Sequence, residues 1–335
     1  MKIAINGFGR IGRNFLRTIL LNPEAAKKLD VVAINIGPAD PGAVAHMFKY
    51  DTLMGTYPGS VVLQDGELII NDYHIKIIAE SDPESIHWDQ LGVEWVVESS
   101  GRFTKREGAS KHLNAGARHV LITAPSKGED ISIVPGVNEE LFDNNKHAIV
   151  SLGSCTTNAF VTLLKVMHDA FMVTKGFMTT VHAYTNSQVL LDVESSDLRR
   201  SRAAALNIIP TSTGASKVLG KVIPELEGVI QAVAIRVPVA KVSLIDLSFC
   251  AQKKLSVDAI HDAVITTAKK RMQGILGITM EPLVSSDFSG SNYSVVVDGL
   301  LTAVQGDMAK VFGWYDNEWG YSVRLKDFLL YVAQK

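Results

Sequence analysis

Short hydrophobic runs alternate with amphipathic segments from the start of the chain to residue 151. Such runs predict buried β-strands, and apolar side chains spaced four apart, such as Phe15 and Ile19, predict helices. The alternation of strand and helix favours an α/β fold with a mostly parallel sheet and helices on both faces. The predicted strands cover residues 2–6, 31–35, 95–98, 119–123 and 148–151, the helices 13–21 and 105–115, and a hairpin 69–70 and 74–79.

The pattern changes after Ser154. Residues 159–170 form a predicted amphipathic helix whose apolar face contains Phe160, Leu163 and Met167. Longer apolar segments follow and favour a mixed or antiparallel sheet, whereas residues 186–210 show no period and predict a long functional loop. The predicted strands here cover 176–184, 230–237, 242–250, 293–298 and 308–314, and a helix covers 327–333.

Length and composition predict a folded protein of two domains. The chain has 335 residues, of which 47% are hydrophobic and 20% charged, and single cores stop growing near about 250–300 residues. Lys and Arg number 33 against 35 Asp and Glu, a net charge of −2. This balance argues against nucleic-acid binding, which needs a basic surplus.

Two cysteines are too few for a disulfide framework or a Cys-rich zinc site, and no metal is expected. The first residues lack the apolar run of a secretory segment. No uncharged apolar stretch approaches the roughly 18 residues of a membrane span. A cytoplasmic location without a membrane partner is therefore expected.

Three glycines near the start of the chain form a spaced motif. Gly7, Gly9 and Gly12 match G-x-G-x-x-G between the first predicted strand and the first helix. One glycine makes the tight turn, one lets the backbone approach a pyrophosphate, and one lets helix and strand pack closely. The helix N-terminus then directs its positive end at the phosphates. The motif predicts a dinucleotide site, and a ligand-free glycine turn is the simpler alternative.

The second predicted strand does not end in the acidic residue expected for such a site. A carboxylate there would bind the ribose hydroxyls of NAD and repel the 2′-phosphate of NADP. Asn35 and Ile36 occupy the position, Asp30 lies at the wrong end of the strand, and Asp40 lies beyond a Gly-Pro turn. The sequence therefore leaves the choice between NAD and NADP open.

One cysteine and one histidine are candidates for covalent chemistry. Cys155 lies at the start of the amphipathic helix, where the helix dipole is expected to lower the thiol pKa. His182 ends a predicted strand, and an imidazole commonly activates a thiol. Taken alone, each has a structural alternative, an inert core thiol or a structural histidine. Cys250 lies in an apolar strand and is interpreted as a small buried hydrophobic residue.

Hydroxyl and cationic side chains form a fourth group. Thr213 and Gly214 precede a helix predicted over residues 215–222, and Arg236 ends a strand. A helix start combined with arginine favours an anion or phosphate site, and a solvated basic loop is the alternative. Three more arginines lie in the long loop, at Arg199, Arg200 and Arg202.

Together these motifs resemble the type I family of phosphorylating glyceraldehyde-3-phosphate dehydrogenases. The resemblance covers essentially the whole chain, with several independent motifs in the same order. The TSTG segment favours the triose-phosphate enzyme over its relative, erythrose-4-phosphate dehydrogenase. The motifs are AINGFGRIGR (4–13), KYD (49–51), SCTTN (154–158), HAYTN (182–186), DLRRSRAAA (197–205), IIPTSTG (208–214), RVP (236–238) and WYDNEWGY (314–321).

The resemblance implies a homotetrameric glycolytic enzyme that oxidises glyceraldehyde 3-phosphate with NAD and inorganic phosphate to 1,3-bisphosphoglycerate. It implies a Rossmann-like doubly wound domain over 1–154, with 318–335 packing back on it. A catalytic α+β domain with a mixed, largely antiparallel sheet would cover 155–317. The loop from Asn186 to Leu206 would reach the cofactor of a neighbouring subunit.

The resemblance also implies the roles of single residues. Cys155 would be the nucleophile that forms a thioester, and His182 its base and proton shuttle. The substrate phosphate and inorganic phosphate would be bound by Ser154, Thr156, Thr185, Thr213, Gly214 and Arg236. The cofactor would be held by Gly7, Gly9, Arg10, Ile11, Gly12, Asn35, Ile36, Ser100, Thr123, Asn317 and Tyr321.

The chain departs from the family pattern at three positions. Ile36 and Ser187 each stand where the family usually has Asp, and Glu194 stands where it usually has Pro. Ile36 weakens the selection of NAD, whereas the charge of Glu194, reaching across a subunit interface, would disfavour a 2′-phosphate. NAD is the expected cofactor, with NADP or dual use as the alternative. Three further functions stay open: an erythrose-4-phosphate dehydrogenase, a phosphate-independent aldehyde dehydrogenase, and a cofactor-binding regulatory or adhesive protein without catalysis.

Overall fold

The computed structural model describes all 335 residues, which form two compact units. The first unit contains Met1–Ile133, Glu139–Gly153 and Ser322–Lys335, and the second contains Val134–Asn138 and Ser154–Tyr321. No helix combines the length and the apolar character needed to cross a bilayer.

Each unit is built on one β-sheet. The strands, in chain order, are β1 Lys2–Asn6, β2 Asp30–Asn35, β3 Val61–Gln64, β4 Glu67–Ile70, β5 Tyr73–Ile78, β6 Trp95–Glu98, β7 His119–Ile122, β8 Ile131–Ser132, β9 Ile149–Ser151, β10 Val173–Ala183, β11 Ile209–Ser212, β12 Ile230–Val237, β13 Ser243–Ala251, β14 Leu276–Thr279, β15 Val295–Gln305 and β16 Met308–Tyr315.

Eight α-helices connect or cover the strands, together with short 3-10 turns. The helices are α1 Arg10–Leu20, α2 Pro23–Lys28, α3 Gly42–Lys49, α4 Arg106–Asn114, α5 Cys155–Phe171, α6 Ala215–Val222, α7 Val257–Lys269 and α8 Trp319–Val332.

The first unit contains a nine-stranded sheet in the order β3-β4-β5-β2-β1-β6-β7-β9-β8. The β3–β4 and β4–β5 pairs are antiparallel. Every other pair of neighbouring strands in this sheet is parallel. Strand β2 lies on one side of β1 in the sheet, and β6, which comes later in the chain, lies on the other side. The strand order therefore reverses at β1. Ligands of open α/β sheets bind at the carboxyl ends of strands at such a reversal. The predicted doubly wound, Rossmann-like sheet is confirmed.

The second unit contains a seven-stranded sheet in the order β11-β12-β10-β13-β16-β15-β14. The β10–β12 and β14–β15 pairs are parallel, and the other pairs are antiparallel. The predicted mixed, largely antiparallel sheet is therefore confirmed. Helix α5 packs on it through Phe160, Leu163, Leu164 and Met167, which are fully buried together with strand residues such as Leu247.

All the predicted strands and helices form, but some are longer than predicted. Helix α8 begins at Trp319, eight residues before the predicted start. The prediction missed this part of the helix because Arg324 and Lys326, although buried, interrupt the apolar period. Strand β15 continues past Asp298 through a register shift. The short elements α2, α3, β3, β8, β11 and β14 and the helix α7 were not predicted.

Candidate active site

The three predicted glycines form a turn between β1 and α1 in the first unit. Gly7 has a φ of +93°, and a Cβ there would lie 2.4 Å from the Ser100 backbone. A Cβ on Gly12 would lie 2.4 Å from the Gly7 carbonyl oxygen, so this glycine permits helix–strand packing. A Cβ on Gly9 would meet no atom within 4 Å. The turn therefore leaves open space at Gly9, as the close approach of a phosphate requires.

A buried polar network supports this turn at the carboxyl ends of the strands. The Asn6 amide donates to the Glu98 carboxylate at 2.5 Å, and the Asn35 amide donates to Asn6 Oδ1 at 2.7 Å. Asn35 Oδ1 accepts from the backbone of Gly37 and Glu80. The side chain of Asn35 is thus engaged in fixing the loop after β2. Asn6 and Glu98 were not predicted as site residues, since only the fold brings them together.

A cavity of about 390 Å³ opens beside the glycine turn. Five predicted cofactor residues line it: Gly7, Gly9, Asn35, Ile36 and Ser100. Asp40 and Glu80 also line it. Asp40, which lies beyond a Gly-Pro turn in the sequence, is thus at the same cavity as Ile36. Arg13, Arg102 and Phe103 line the cavity as well.

Six other predicted cofactor residues lie outside this lining, four of them in the first unit. Ile11 and Gly12 belong to the first turn of α1. The Arg10 guanidinium pairs with the Asp51 carboxylate at 2.5 Å. The Thr123 hydroxyl donates to the Glu98 carbonyl oxygen at 3.1 Å. Arg10 and Thr123 therefore use their side chains within the fold of this unit.

In the second unit, Cys155 and His182 are in contact. Ser154 caps helix α5, since its hydroxyl accepts from the Thr157 backbone N–H at 3.0 Å. Cys155 is the first helical residue and is partly buried. His182 lies near the end of β10, only 4% exposed, with Nε2 3.5 Å from Cys155 Sγ. The structure brings together two candidates that the sequence could only place separately.

Burial determines the ionisation of this pair. It lowers the pKa of His182 to about 3, and the positive charge of Arg236 acts in the same direction. Burial raises the pKa of the Cys155 thiol, and Arg236 is the largest influence that opposes the rise. The expectation of a lowered thiol pKa is wrong for the free protein, because desolvation outweighs the helix start.

Arg236 lies beside His182 because β10 and β12 pair in parallel with these two residues opposite each other. Its Nη1 is 2.7 Å from His182 Nδ1 and donates to the Ala183 carbonyl oxygen at 2.8 Å. Its Nε is buried without a hydrogen-bond partner. A buried, unpaired donor on a cationic group is a favourable place for an oxyanion.

Tyr315 adds a hydroxyl network that was not predicted. Its phenol oxygen is 2.9 Å from the Thr156 hydroxyl and 2.8 Å from the Thr180 hydroxyl. Its ring stands edge-on to the His182 imidazole, with centroids 6.0 Å apart. Burial raises the pKa of the Tyr315 phenol well above its usual value. The phenol therefore stays protonated and fixes the first turn of α5.

Two predicted cofactor residues, Asn317 and Tyr321, are buried in this same unit. Asn317 Oδ1 accepts from the Ser243 hydroxyl at 3.2 Å, and that hydroxyl accepts from the Ala183 backbone N–H. Burial raises the pKa of the Tyr321 phenol. Asn317 is thus connected by hydrogen bonds to the backbone next to His182.

The remaining predicted phosphate residues lie in loops of the second unit. The Thr185 hydroxyl is 2.9 Å from that of Ser187. The Thr213 hydroxyl accepts from the Ala215 backbone N–H at the start of α6, next to Gly214. These contacts leave both hydroxyls with further hydrogen-bonding capacity.

The loop arginines and the second cysteine are the last two features that the sequence singles out. Arg200 and Arg202 pair with Asp197 and Asp192 of their own loop. Cys250 is partly exposed on strand β13, so it is not a fully buried hydrophobic residue.

Known proteins of one family resemble this chain over its full length. The family model described as the NAD binding domain of glyceraldehyde 3-phosphate dehydrogenase matches residues 1–106, and the model of the C-terminal domain matches residues 154–317. Glyceraldehyde-3-phosphate dehydrogenase of Geobacillus stearothermophilus is 47% identical over 336 aligned residues, covering 100% of this chain and 99% of the relative. Glyceraldehyde-3-phosphate dehydrogenase 1 of Bacillus cereus is 48% identical at the same coverage. Glyceraldehyde-3-phosphate dehydrogenase 1 of Streptomyces avermitilis is 45% identical over 99% of this chain and 98% of its own.

Identity at this level over the full length, with family models on both parts of the chain, excludes a chance likeness. The chain belongs to the glyceraldehyde-3-phosphate dehydrogenase family.

Proposed function

We propose that this protein oxidises glyceraldehyde 3-phosphate with NAD and inorganic phosphate to 1,3-bisphosphoglycerate. The observation that carries the proposal is the contact between Cys155 Sγ and His182 Nε2 at 3.5 Å, with Arg236 beside the imidazole. A thiol, a base and a cation in one buried cluster are suited to the oxidation of a phosphate-bearing aldehyde to a thioester, whose acyl group is then transferred to phosphate.

Cys155 is the nucleophile in this proposal. Its sulfur adds to the aldehyde carbon and forms a hemithioacetal. Ser154 and Tyr315 hold the first turn of α5, so that the sulfur keeps a fixed direction. His182 Nε2 accepts the hydroxyl proton of the hemithioacetal as the carbon is oxidised to a thioester. A positioned general base of this kind contributes on the order of 10²–10⁴-fold in rate.

NAD is the cofactor of the proposed reaction. A bound NAD would supply the acceptor for the hydride of the hemithioacetal carbon. The open space at Gly9 and the cavity lined by Ser100 fit a dinucleotide in the first unit. In the second unit, Asn317 and Tyr321 are the residues proposed to hold the nicotinamide end. Arg10, Ile11, Gly12 and Thr123 are proposed to contribute through backbone groups and packing.

Arg236 and nearby hydroxyls are proposed to bind phosphate. The unpaired Nε of Arg236 fits an oxyanion. The hydroxyls of Ser154, Thr156, Thr185 and Thr213 and the backbone of Gly214 complete the proposed set. Inorganic phosphate held there attacks the thioester carbon, the C–S bond breaks, and Cys155 leaves as the thiolate.

Two carboxylates support NAD as the preferred cofactor. Asp40 and Glu80 line the cavity that also contains Ile36. Their negative charges disfavour the 2′-phosphate of NADP even though Ile36 carries no carboxylate. Glu194 on an exposed loop would add to this effect if the loop reaches a neighbouring subunit's cofactor.

We further propose a homotetramer, with cofactor binding in the N-terminal part of the chain, residues 1–154, and catalysis in 155–317. The long loop exposes apolar side chains that water disfavours: Leu190 is 88% exposed, Leu191 75% and Leu198 82%. Such a surface is typical of a contact between subunits.

An assay of NADH formation tests the proposed function. The purified protein is mixed with glyceraldehyde 3-phosphate and NAD, with and without inorganic phosphate. We expect steady turnover only with phosphate, and none in Cys155→Ser, which should still bind NAD. Turnover without phosphate would indicate the free-acid aldehyde dehydrogenase, and faster turnover of erythrose 4-phosphate would indicate that relative. No NADH with any of these aldehydes would contradict the proposal.

A further inference from the structure

One ring nitrogen of His182 has two neighbours that need opposite proton states. Nδ1 is 2.6 Å from the Ala183 carbonyl oxygen, to which it can only donate. It is also 2.7 Å from Arg236 Nη1, from which it can only accept. A ring nitrogen either carries a proton or has a lone pair. The two hydrogen bonds therefore cannot form at the same time, and the site has two alternative arrangements.

The choice at Nδ1 decides what Nε2 can do. A neutral imidazole carries one proton, and burial lowers the pKa of His182 enough to keep this ring neutral near pH 7. When Arg236 donates to Nδ1, the proton lies on Nε2 and points toward Cys155. In that tautomer Nε2 cannot accept a proton. When Nδ1 carries the proton and donates to Ala183, Nε2 has a free lone pair and can act as the base.

Arg236 has a second use that competes with its contact to His182. Its Nε is buried and unpaired, and its Nη1 is shared between His182 and Ala183. A dianionic phosphate oxygen is a much stronger acceptor than a neutral ring nitrogen. An oxyanion next to Arg236 therefore draws the guanidinium donors away from Nδ1. The groups that face the ring are Cys155, Arg236 and the protonated phenol of Tyr315.

We propose that Arg236 sets the tautomer of His182, and that a phosphate group bound to Arg236 switches the imidazole to the form that accepts a proton at Nε2. The inference rests on the proposed function and deepens it. In the switch, Nε2 loses a proton to solvent and Nδ1 gains one from solvent, so the charge of the ring does not change. Arg236 is here a positioning residue that acts through His182.

In this proposal the phosphate group of the substrate activates His182 as a base, in addition to contributing to substrate binding. An aldehyde without phosphate would bind and still react slowly at saturation, because His182 would remain in the Nε2–H form. A separate dianion that occupies the Arg236 site should then raise the rate of the first hydride transfer. A phosphate group that only improved binding would change KM and leave the saturated rate unchanged.

Neutron diffraction tests the switch without relying on turnover. Deuterated crystals of the full-length protein are prepared free of anions, and a second set is soaked in methylphosphonate. We expect deuterium on Nε2 of His182 in the first set and on Nδ1 in the second. In Arg236→Leu we expect Nδ1 deuterated in both. Deuterium on the same nitrogen of the unsubstituted protein in both sets overturns the proposal.

A kinetic experiment provides an independent readout. The first turnover is followed with saturating D-glyceraldehyde and NAD, with and without methylphosphonate. We expect the dianion to raise the saturated rate by about 10²-fold, the lower end of what one base contributes. Arg236→Lys should retain a small part of this rise and Arg236→Leu none. Arg200→Leu, which removes a nearby positive charge without touching His182, should keep the rise.

The outcomes separate this inference from the proposed function. If glyceraldehyde 3-phosphate is turned over normally while methylphosphonate leaves both the tautomer and the saturated rate unchanged, the tautomer switch is wrong and the function stands. If no aldehyde yields NADH while the tautomer still responds to the dianion, the function is wrong and the switch stands.

Discussion

Two neighbours of Cys155, Arg236 and His182, are placed to oppose the effect of burial on the thiol. Arg236 lowers the thiol pKa through its charge. His182 Nε2 lies 3.5 Å from the sulfur and can stabilise a thiolate as a hydrogen-bond donor. Loss of either neighbour should therefore raise the thiol pKa, although the two act by different physical means.

The pH dependence of alkylation tests this dependence. We expect Arg236→Leu and His182→Asn each to shift the midpoint of the iodoacetamide reaction of Cys155 to higher pH, because each removes a group that favours the thiolate. At pH 7 both variants should react more slowly. Cys250 is assigned separately by peptide mass. A profile unchanged in both variants would contradict the described contacts.

Cofactor preference should also be decided by single residues. Ile36→Asp adds a carboxylate at the end of β2 and should shift the ratio of NAD to NADP affinity further toward NAD. Asp40→Asn removes a carboxylate from the cavity and should shift it toward NADP, by about tenfold, or 1.4 kcal/mol. Direct binding titrations of both cofactors measure the ratio. Asp72→Asn, on an exposed turn, serves as the control. An unchanged ratio in both test variants would show that this cavity is not the selector.

At the scale of elements, the turn from β1 to α1 contains one glycine needed for packing, Gly12, and one proposed to be needed for cofactor binding, Gly9. Gly12→Ala places a methyl group against the Gly7 carbonyl oxygen, and overpacking of this kind usually destabilises by about 1–3 kcal/mol. Gly9→Ala projects into open space, and the residue has an ordinary φ of −76°. We expect Gly12→Ala to lower the melting temperature. Gly9→Ala should keep it and weaken NAD binding by at least about tenfold, or 1.4 kcal/mol. Unchanged NAD binding in Gly9→Ala would show that the phosphates lie elsewhere.

Local patterns made most of these elements predictable from the sequence. The strand before Gly7, the helix after Cys155 and the loop after His182 each follow from apolar period and turn chemistry within a few neighbouring residues. The same local information placed Cys155 at a helix start. Short elements such as β8 and buried charged residues such as Arg324 could not be predicted, because neither produces a recognisable pattern among neighbouring residues.

Contacts between distant elements could not be predicted in this way. Arg236 meets His182, 54 residues away, because β10 and β12 pair in parallel in one register. Tyr315 at the end of β16 meets Thr156 in the first turn of α5 across 159 residues. The thiol pKa followed the desolvation of the folded site, which no local pattern contains. The resemblance to a family located the residues of the site, and the fold determined how they act on one another.

At the scale of the whole molecule, the long loop of the second unit presents apolar side chains to solvent. We expect the protein to be a homotetramer in solution, and Leu190→Glu with Leu198→Glu to reduce the assembly by burying charge at a subunit contact. Sedimentation velocity measures the change. Leu141→Glu alters an exposed leucine of the first unit and should keep the tetramer. A monomeric unsubstituted protein, or a double variant that remains tetrameric, would contradict this assignment of the loop.

The central claim is that oxidation leaves an acyl group on Cys155 until phosphate removes it. Its most direct test is mass spectrometry of the protein quenched after mixing with glyceraldehyde 3-phosphate and NAD in the absence of phosphate. We predict one acyl group on the peptide that contains Cys155, formed together with one NADH, and lost when phosphate is added before the quench. NADH formed at the same rate while Cys155 stays unmodified would contradict this claim.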